Sequence, residues 1–301
     1  MMFGYYSMFI LSVVFASINN AGLMKKYQLT AGTGIYANII FMLINGAVSA
    51  ALPAGVIIVG EGRLETTVYS LVIALITVLC ASVSMIGMIK AYEVASVAMV
   101  NLFQILGTVL ISCLWGVCFL GENISIIQII AIGVILAAVF LITGKREEKM
   151  QKKALFWYLV VFVSSGFLNV LTKVHQVEEK FETIDTLSFS VWIGVLRVIV
   201  FAALFFVVYC GKKRNGMVDV FNGIGKKSVG IAALSSAVSG TCYIVTLIAA
   251  TVLPITTTAP LNTGISIGMS AILPWMLYGE RLTKREILGI GLSLMGILMY
   301  M

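Results

Sequence analysis

The chain has 301 residues, 60% of them hydrophobic and only 11% charged, with a mean hydropathy of +1.06, whereas soluble domains carry roughly a quarter charged residues. Such a composition belongs in a bilayer and leaves no room for a sizeable soluble catalytic domain. The formal net charge of +7 reports membrane orientation before it reports nucleic-acid binding, because Lys and Arg gather in the cytoplasmic loops of membrane proteins.

A spanning helix needs about 20 apolar residues, and ten windows approach or exceed that length: 4–24, 32–53, 68–89, 95–119, 125–143, 154–172, 186–209, 228–250, 255–278 and 284–301. The first has no basic residue before it and no small-residue cleavage pattern behind it, so it is expected to stay as a helix rather than be removed as a signal peptide. It ends at Lys25-Lys26. The fourth window closes on Gly121-Glu122, and the basic run from Lys145 to Lys153 separates the fifth from the sixth. After the sixth, residues 173–185 carry Glu178, Glu179, Glu182 and Asp185 and read as a solvated outer loop, with the lone His175 a surface or interface histidine. At the start of the ninth window Pro254 and Pro260 bracket Thr256, Thr257 and Thr258, and Pro274 lies near its end.

The chain repeats itself. Gly121-Glu122-Asn123-Ile124-Ser125 returns 158 residues later as Gly279-Glu280-Arg281-Leu282-Thr283, and Gly133 returns as Gly291. Val13-Val14-Phe15-Ala16-Ser17 likewise returns as Val160-Val161-Phe162-Val163-Ser164. Residues 1–147 and 148–301 are therefore two halves, and the fold expected is all-α: ten transmembrane helices as two five-helix repeats. Five helices per half is an odd number, so the halves must have inverted topology, the plan of secondary transporters with a binding site near the midplane. Sixteen Lys and Arg fall on the side reached after odd-numbered windows, against Arg63, Lys173 and Lys180 on the other. The bias predicts a multi-pass protein of the cell membrane with both termini outside.

These residues resemble the EamA repeat of the drug/metabolite transporter superfamily. The likeness rests on Lys90-Ala91-Tyr92-Glu93 after the third window, Leu120-Gly121-Glu122 after the fourth and Gly133 in the fifth. Its second copy runs through Leu253-Pro254-Ile255, Pro260 and Tyr278-Gly279-Glu280 to Gly291 and Gly296. The resemblance implies a ten-helix transporter with a cavity lined by the first four helices of each repeat. It names no substrate, since similar folds move amino acids, nucleosides, sugars, nucleotide-sugars or drugs.

Polar residues inside the apolar windows are the candidate substrate contacts. Asn19, Asn20, Asn101, Gln104, Asn169 and Asn262 supply amides, Gln104 aligns with Asn262 across the repeat, and Tyr243 adds an aromatic candidate. Each amide serves either as a substrate contact or as glue between helices. Arg197, about twelve residues into the seventh window, is the one charge read as deep in a span. Its insertion costs at least about 2.5 kcal/mol, so it demands a partner and stands as a structural or an anion-binding residue. Pro254 and Pro260 are candidate gating positions, since proline removes a backbone donor and bends a helix.

The buried glutamate that small multidrug resistance relatives use for proton exchange has no counterpart in the first window, where Ser17, Asn19 and Asn20 stand. Cys80, Cys113, Cys118 and Cys242 lie inside apolar windows and Cys210 directly at the end of the seventh; none has Cys-x-x-Cys spacing, and all read as packing residues. No cofactor or metal is expected. No Gly-x-x-x-x-Gly-Lys-Ser/Thr motif for ATP hydrolysis is present, and the acids, bases or ligands that a membrane-embedded enzyme needs at depth are missing. The function expected is secondary transport of a small polar metabolite, an amino acid or related compound, by alternating access and in the direction of export. The alternative is a lipid or polyprenyl-phosphate flippase with Arg197 at the phosphate. The partners expected are a small-molecule substrate and membrane lipids, without nucleic acid; the sequence leaves the oligomeric state open.

Overall fold

The structure is a computed structural model that describes residues 2–32, 34–92, 97–143, 152–214, 225–278 and 283–299. Among these there are helices and connecting turns and no strand. The first apolar window is covered by α1 (Met2–Asn19) and a π-helical segment (Asn20–Met24), and α2 (Lys25–Ala31) continues from them in unbroken succession. Then come α3 (Ile35–Val59), α4 (Val68–Tyr92), α5 (Val97–Phe119), α6 (Ile126–Thr143) and α7 (Lys152–Val177), followed by α8 (Thr186–Arg214), α9 (Lys226–Val252), α10 (Ile255–Tyr278) and α11 (Lys284–Leu298). Seven of the described helices are long and apolar enough to cross a membrane. Helix is the structure the composition dictates, because a segment in lipid must satisfy every backbone N–H and C=O internally.

Several helices outrun their apolar windows. The most consequential is α7, which continues past Thr172 and Lys173 to Val177. This corrects the reading of residues 173–185 as one solvated loop. Lys173 is 6% exposed and His175 1%, so neither is a loop or surface residue. The extra helical turn carries both into the protein interior, and only residues 178–185 lie outside helices.

The contacts divide the chain into two compact units, and each draws on both halves of the sequence. The first comprises Met1–Ser17, Cys80–Val177 and Thr246–Met301, the second Ile18–Leu79 and Glu178–Val245. In the first unit, Phe9 and Val13 pack with Ala131 and Ile135 of α6, and with Leu253, Leu261 and Ile265. Helices α5 and α7 cross at two glycines. A Cβ on Gly107 would overlap the carbonyl oxygen of Phe162, and one on Gly166 would come within 2.6 Å of the Gly107 carbonyl. Small residues at such crossings let backbones approach, which replaces the hydrophobic drive that lipid does not supply. Phe103 stacks on Tyr158, another α7 residue, at 4.6 Å.

In the second unit, α3 and α8 cross in the same manner, with a Cβ on Gly194 falling 2.5 Å from the Ala50 nitrogen and 2.8 Å from the Gly46 carbonyl. Tyr27 donates to the Ala37 carbonyl at 2.7 Å and packs at a tilt on Phe41. Asp185 caps the start of α8, accepting from the Leu187 and Ser188 amides at 2.7 and 2.9 Å, as an acceptor at a helix N-terminus should.

Candidate functional site

Wherever one helix stops and the next begins, unpaired carbonyls face unpaired N–H groups. In the first unit this happens with almost no intervening chain. Helix α9 ends at Val252 and α10 begins at Ile255, separated by Leu253 and Pro254. Pro254 has no N–H to continue the ladder. Its carbonyl accepts from Thr257 and Thr258 at 3.2 and 3.0 Å.

The first two donors of α10 are met from far along the chain. The Glu122 carboxylate accepts from the Ile255 amide through Oε1 and from the Thr256 amide through Oε2, both at 2.9 Å. The repeated Gly-Glu turn acquires a physical reason here. Gly121 takes a φ of 65°, which favours glycine, and the chain turns back so that the Glu122 amide reaches the Gly116 carbonyl at 3.0 Å. Gly116 must also stay small, since a Cβ there would lie 2.7 Å from Thr256 and 2.8 Å from Glu122. The second copy of the turn, at Gly279-Glu280, lies outside the described residues, as does most of the basic run that begins at Lys145.

The carbonyl end is met by a cation. Lys173 Nζ donates to the carbonyls of Ala250 and Leu253, both at 2.7 Å. A negative charge therefore sits on the positive N-terminal end of α10 and a positive charge on the negative C-terminal end of α9, each in the sense that helix dipoles favour. Glu122 is close enough to act on Lys173 electrostatically.

Beside the turn is a cavity of about 60 Å³, lined by Asn169, Thr172, Lys173, Thr246, Thr258 and Asn262, with Phe9 among its apolar walls. One water needs about 10–15 Å³, so there is room for a few waters or one small polar group. Asn169 and Lys173 stand four residues apart on one face of α7, as do Thr258 and Asn262 on α10. Ser266 donates to Asn262 Oδ1 at 3.5 Å, and Asn169 contributes its carbonyl to the Thr172 hydroxyl at 2.9 Å.

Of the sequence-predicted residues, Asn169 and Asn262 thus meet at this cavity. Gln104 is half-buried on α5, and its carbonyl accepts from Ser165 at 3.0 Å. Asn101 belongs to the same helix, but its side chain lies outside the described residues. Pro254 stands in the turn, and Pro260 is buried in α10. In the second unit, Asn19 is buried and donates to the Ser235 carbonyl at 3.1 Å and the Ser239 hydroxyl at 2.8 Å. Asn20 is exposed at the start of the π segment. Arg197 donates through Nη1 to Asn45 Oδ1, and Tyr243 is its electrostatic neighbour. The partner that the arginine demands is hence a buried amide of α3 that the sequence reading does not single out. Sequence reasoning also misses Lys173 as a buried cation, because its charge ends the apolar window; its four-residue spacing from Asn169 is the available signal.

Residues 152–301 match the model of the EamA-like transporter family. The chain belongs to the EamA-like transporter family. A solved structure described only as "Crystal structure of protein" is similar to this EamA-family chain at a TM-score of 0.76 and 12% identity, covering 95% of this chain and 94% of the other; at that identity the likeness shows the fold. No curated protein matches. Membership together with the long apolar helices makes the chain a multi-pass membrane protein of the drug/metabolite transporter type. Among the described residues no group of His, Cys, Asp and Glu is arranged to hold a metal ion.

Proposed function

We propose that this chain is a secondary transporter of a small polar metabolite, an amino acid or related compound, and that it exports its substrate across the cytoplasmic membrane by alternating access between two inverted five-helix halves, 1–147 and 148–301. The observation that carries the reading is the cavity beside the α9–α10 turn, where the amides of Asn169 and Asn262, threonine hydroxyls and a buried ammonium converge. Helix ends that bring charge and backbone polar groups to a cavity are a recurring device for solute binding in transporters. Pro254 and Pro260 flank the first turns of α10 and make this end of the cavity the gate. The charge bias of the loops puts both termini outside, and by the same bias the α9–α10 turn faces outward. A reporter fused after Met301 that is active only in the cytoplasm would overturn this orientation.

The test of function is counterflow in proteoliposomes containing the purified chain, screened with labelled amino acids. Exchange above protein-free vesicles, reduced about tenfold by Asn262→Ala through loss of a buried hydrogen bond to substrate, is the expected result. Vesicles that exchange no soluble solute but move labelled lipid between leaflets would replace the reading with a flippase.

A further inference from the structure

We propose that Lys173 recognises the carboxylate of a zwitterionic substrate, and that this exchange of partners loosens the α9–α10 turn. The inference rests on the transport reading and deepens it by naming the residue that senses the substrate and the substrate group it recognises. Lys173 is 6% exposed, lines the cavity and makes two hydrogen bonds to the carbonyls of Ala250 and Leu253. An ammonium has three donors, so one remains for a ligand. Hydrogen bonds that involve an ionised group are roughly twice as strong as neutral ones, and a carboxylate entering the cavity competes with the carbonyls for all three donors.

Charge balance selects the zwitterion. Lys173 and Glu122 already form an opposed pair at the turn. A dianion would leave two uncompensated negative charges in a largely buried site, a simple carboxylate one, and an amino acid none. The substrate's own ammonium then has a place to go, because the Ala250 and Leu253 carbonyls that Lys173 gives up are acceptors suited to a cation at a helix C-terminus. The small cavity fits the common backbone end of such a molecule. Glu122 keeps its hold on α10 throughout, so the effect of binding falls on the α9 side of the turn.

The experiment uses the full chain in proteoliposomes and in nanodiscs. The probes are the standard L-amino acids and, for each that responds, its methyl ester, which lacks the carboxylate, and inorganic phosphate as a competing anion. Expected are counterflow and thermal stabilisation by at least one amino acid, with the ester and phosphate weaker by about tenfold or more. Lys173→Gln, whose amide can still donate to the carbonyls, raises the KM for the acid by a similar factor without changing the response to the ester, and Lys173→Arg restores part of the loss. Should Lys173→Gln fail to fold, Asn169→Asp supplies the second reading: a carboxylate one turn from Lys173 competes with the substrate and weakens it comparably. An ester that binds as well as its acid, an unchanged KM in Lys173→Gln or Asn169→Asp, or a response to phosphate alone overturns the inference. Transport of an uncharged solute that ignores Lys173→Gln does so while leaving the transporter reading intact; lipid movement without solute exchange removes both.

Discussion

Arg197 and Lys173 are both cations drawn into the interior of a helical membrane protein, and they are held in opposite ways. Arg197 of the second unit is met by neutral groups, the amide of Asn45 and the neighbouring Tyr243. Lys173 of the first unit is met by helix-end carbonyls, has a carboxylate within electrostatic reach and borders a cavity. A planar guanidinium with five fixed donors suits a permanent anchor between α3 and α8, whereas an ammonium on a flexible stem can change partners. Burial of a charge therefore says that it must be compensated; the kind of compensation tells whether it is a strut or a contact.

The comparison can be broken at its strongest point first. Glu122→Ala removes the acceptors of two α10 amides and leaves Lys173 without its counter-charge, and hydrogen bonds to a charged group contribute about 1.5–3 kcal/mol each. A large fall in the thermal midpoint of the detergent-purified protein is expected; a shift of only about one degree would show that Glu122 is dispensable to the turn. Asn45→Leu strands the Arg197 guanidinium at a cost of about 1–3 kcal/mol, and should lower stability without altering the KM of any transported solute. A changed KM with unchanged stability would turn Arg197 from strut into contact. The smallest effect belongs to Asn20→Ala, an exposed position, which should stay within about 0.5 kcal/mol in stability and leave counterflow as it was.

Hydropathy made the spans legible because lipid admits so few backbone structures, and the described part of each apolar window is almost entirely helical. The Gly121-Glu122 turn was visible as a repeat, and Pro254 as a place where a helix must stop. What the turn was for could not be read locally, since Glu122 acts on an amide 133 residues away. Asn169 and Asn262 were legible as polar residues in apolar surroundings, but so were Asn19, whose side chain ties α1 to α9, and Gln104, whose backbone receives a serine of α7. Sequence gives polarity and depth; only the crossing of helices decides whether an amide meets another backbone or an opening. Lys173 shows the converse limit, because counting charge as a boundary removed a buried cation from consideration.

The π segment at Asn20–Met24 carries one further consequence. Its i→i+5 pattern takes up an additional residue compared with the i→i+4 ladder on either side, so α1 and α2 are read in different frames although the helix never breaks. Deleting a single residue there should let one frame run through, turning α2 by about 100° about its own axis. Tyr27 would swing off the Ala37 carbonyl while every hydrophobicity average stayed nearly the same, a lesion that no count of apolar residues would register.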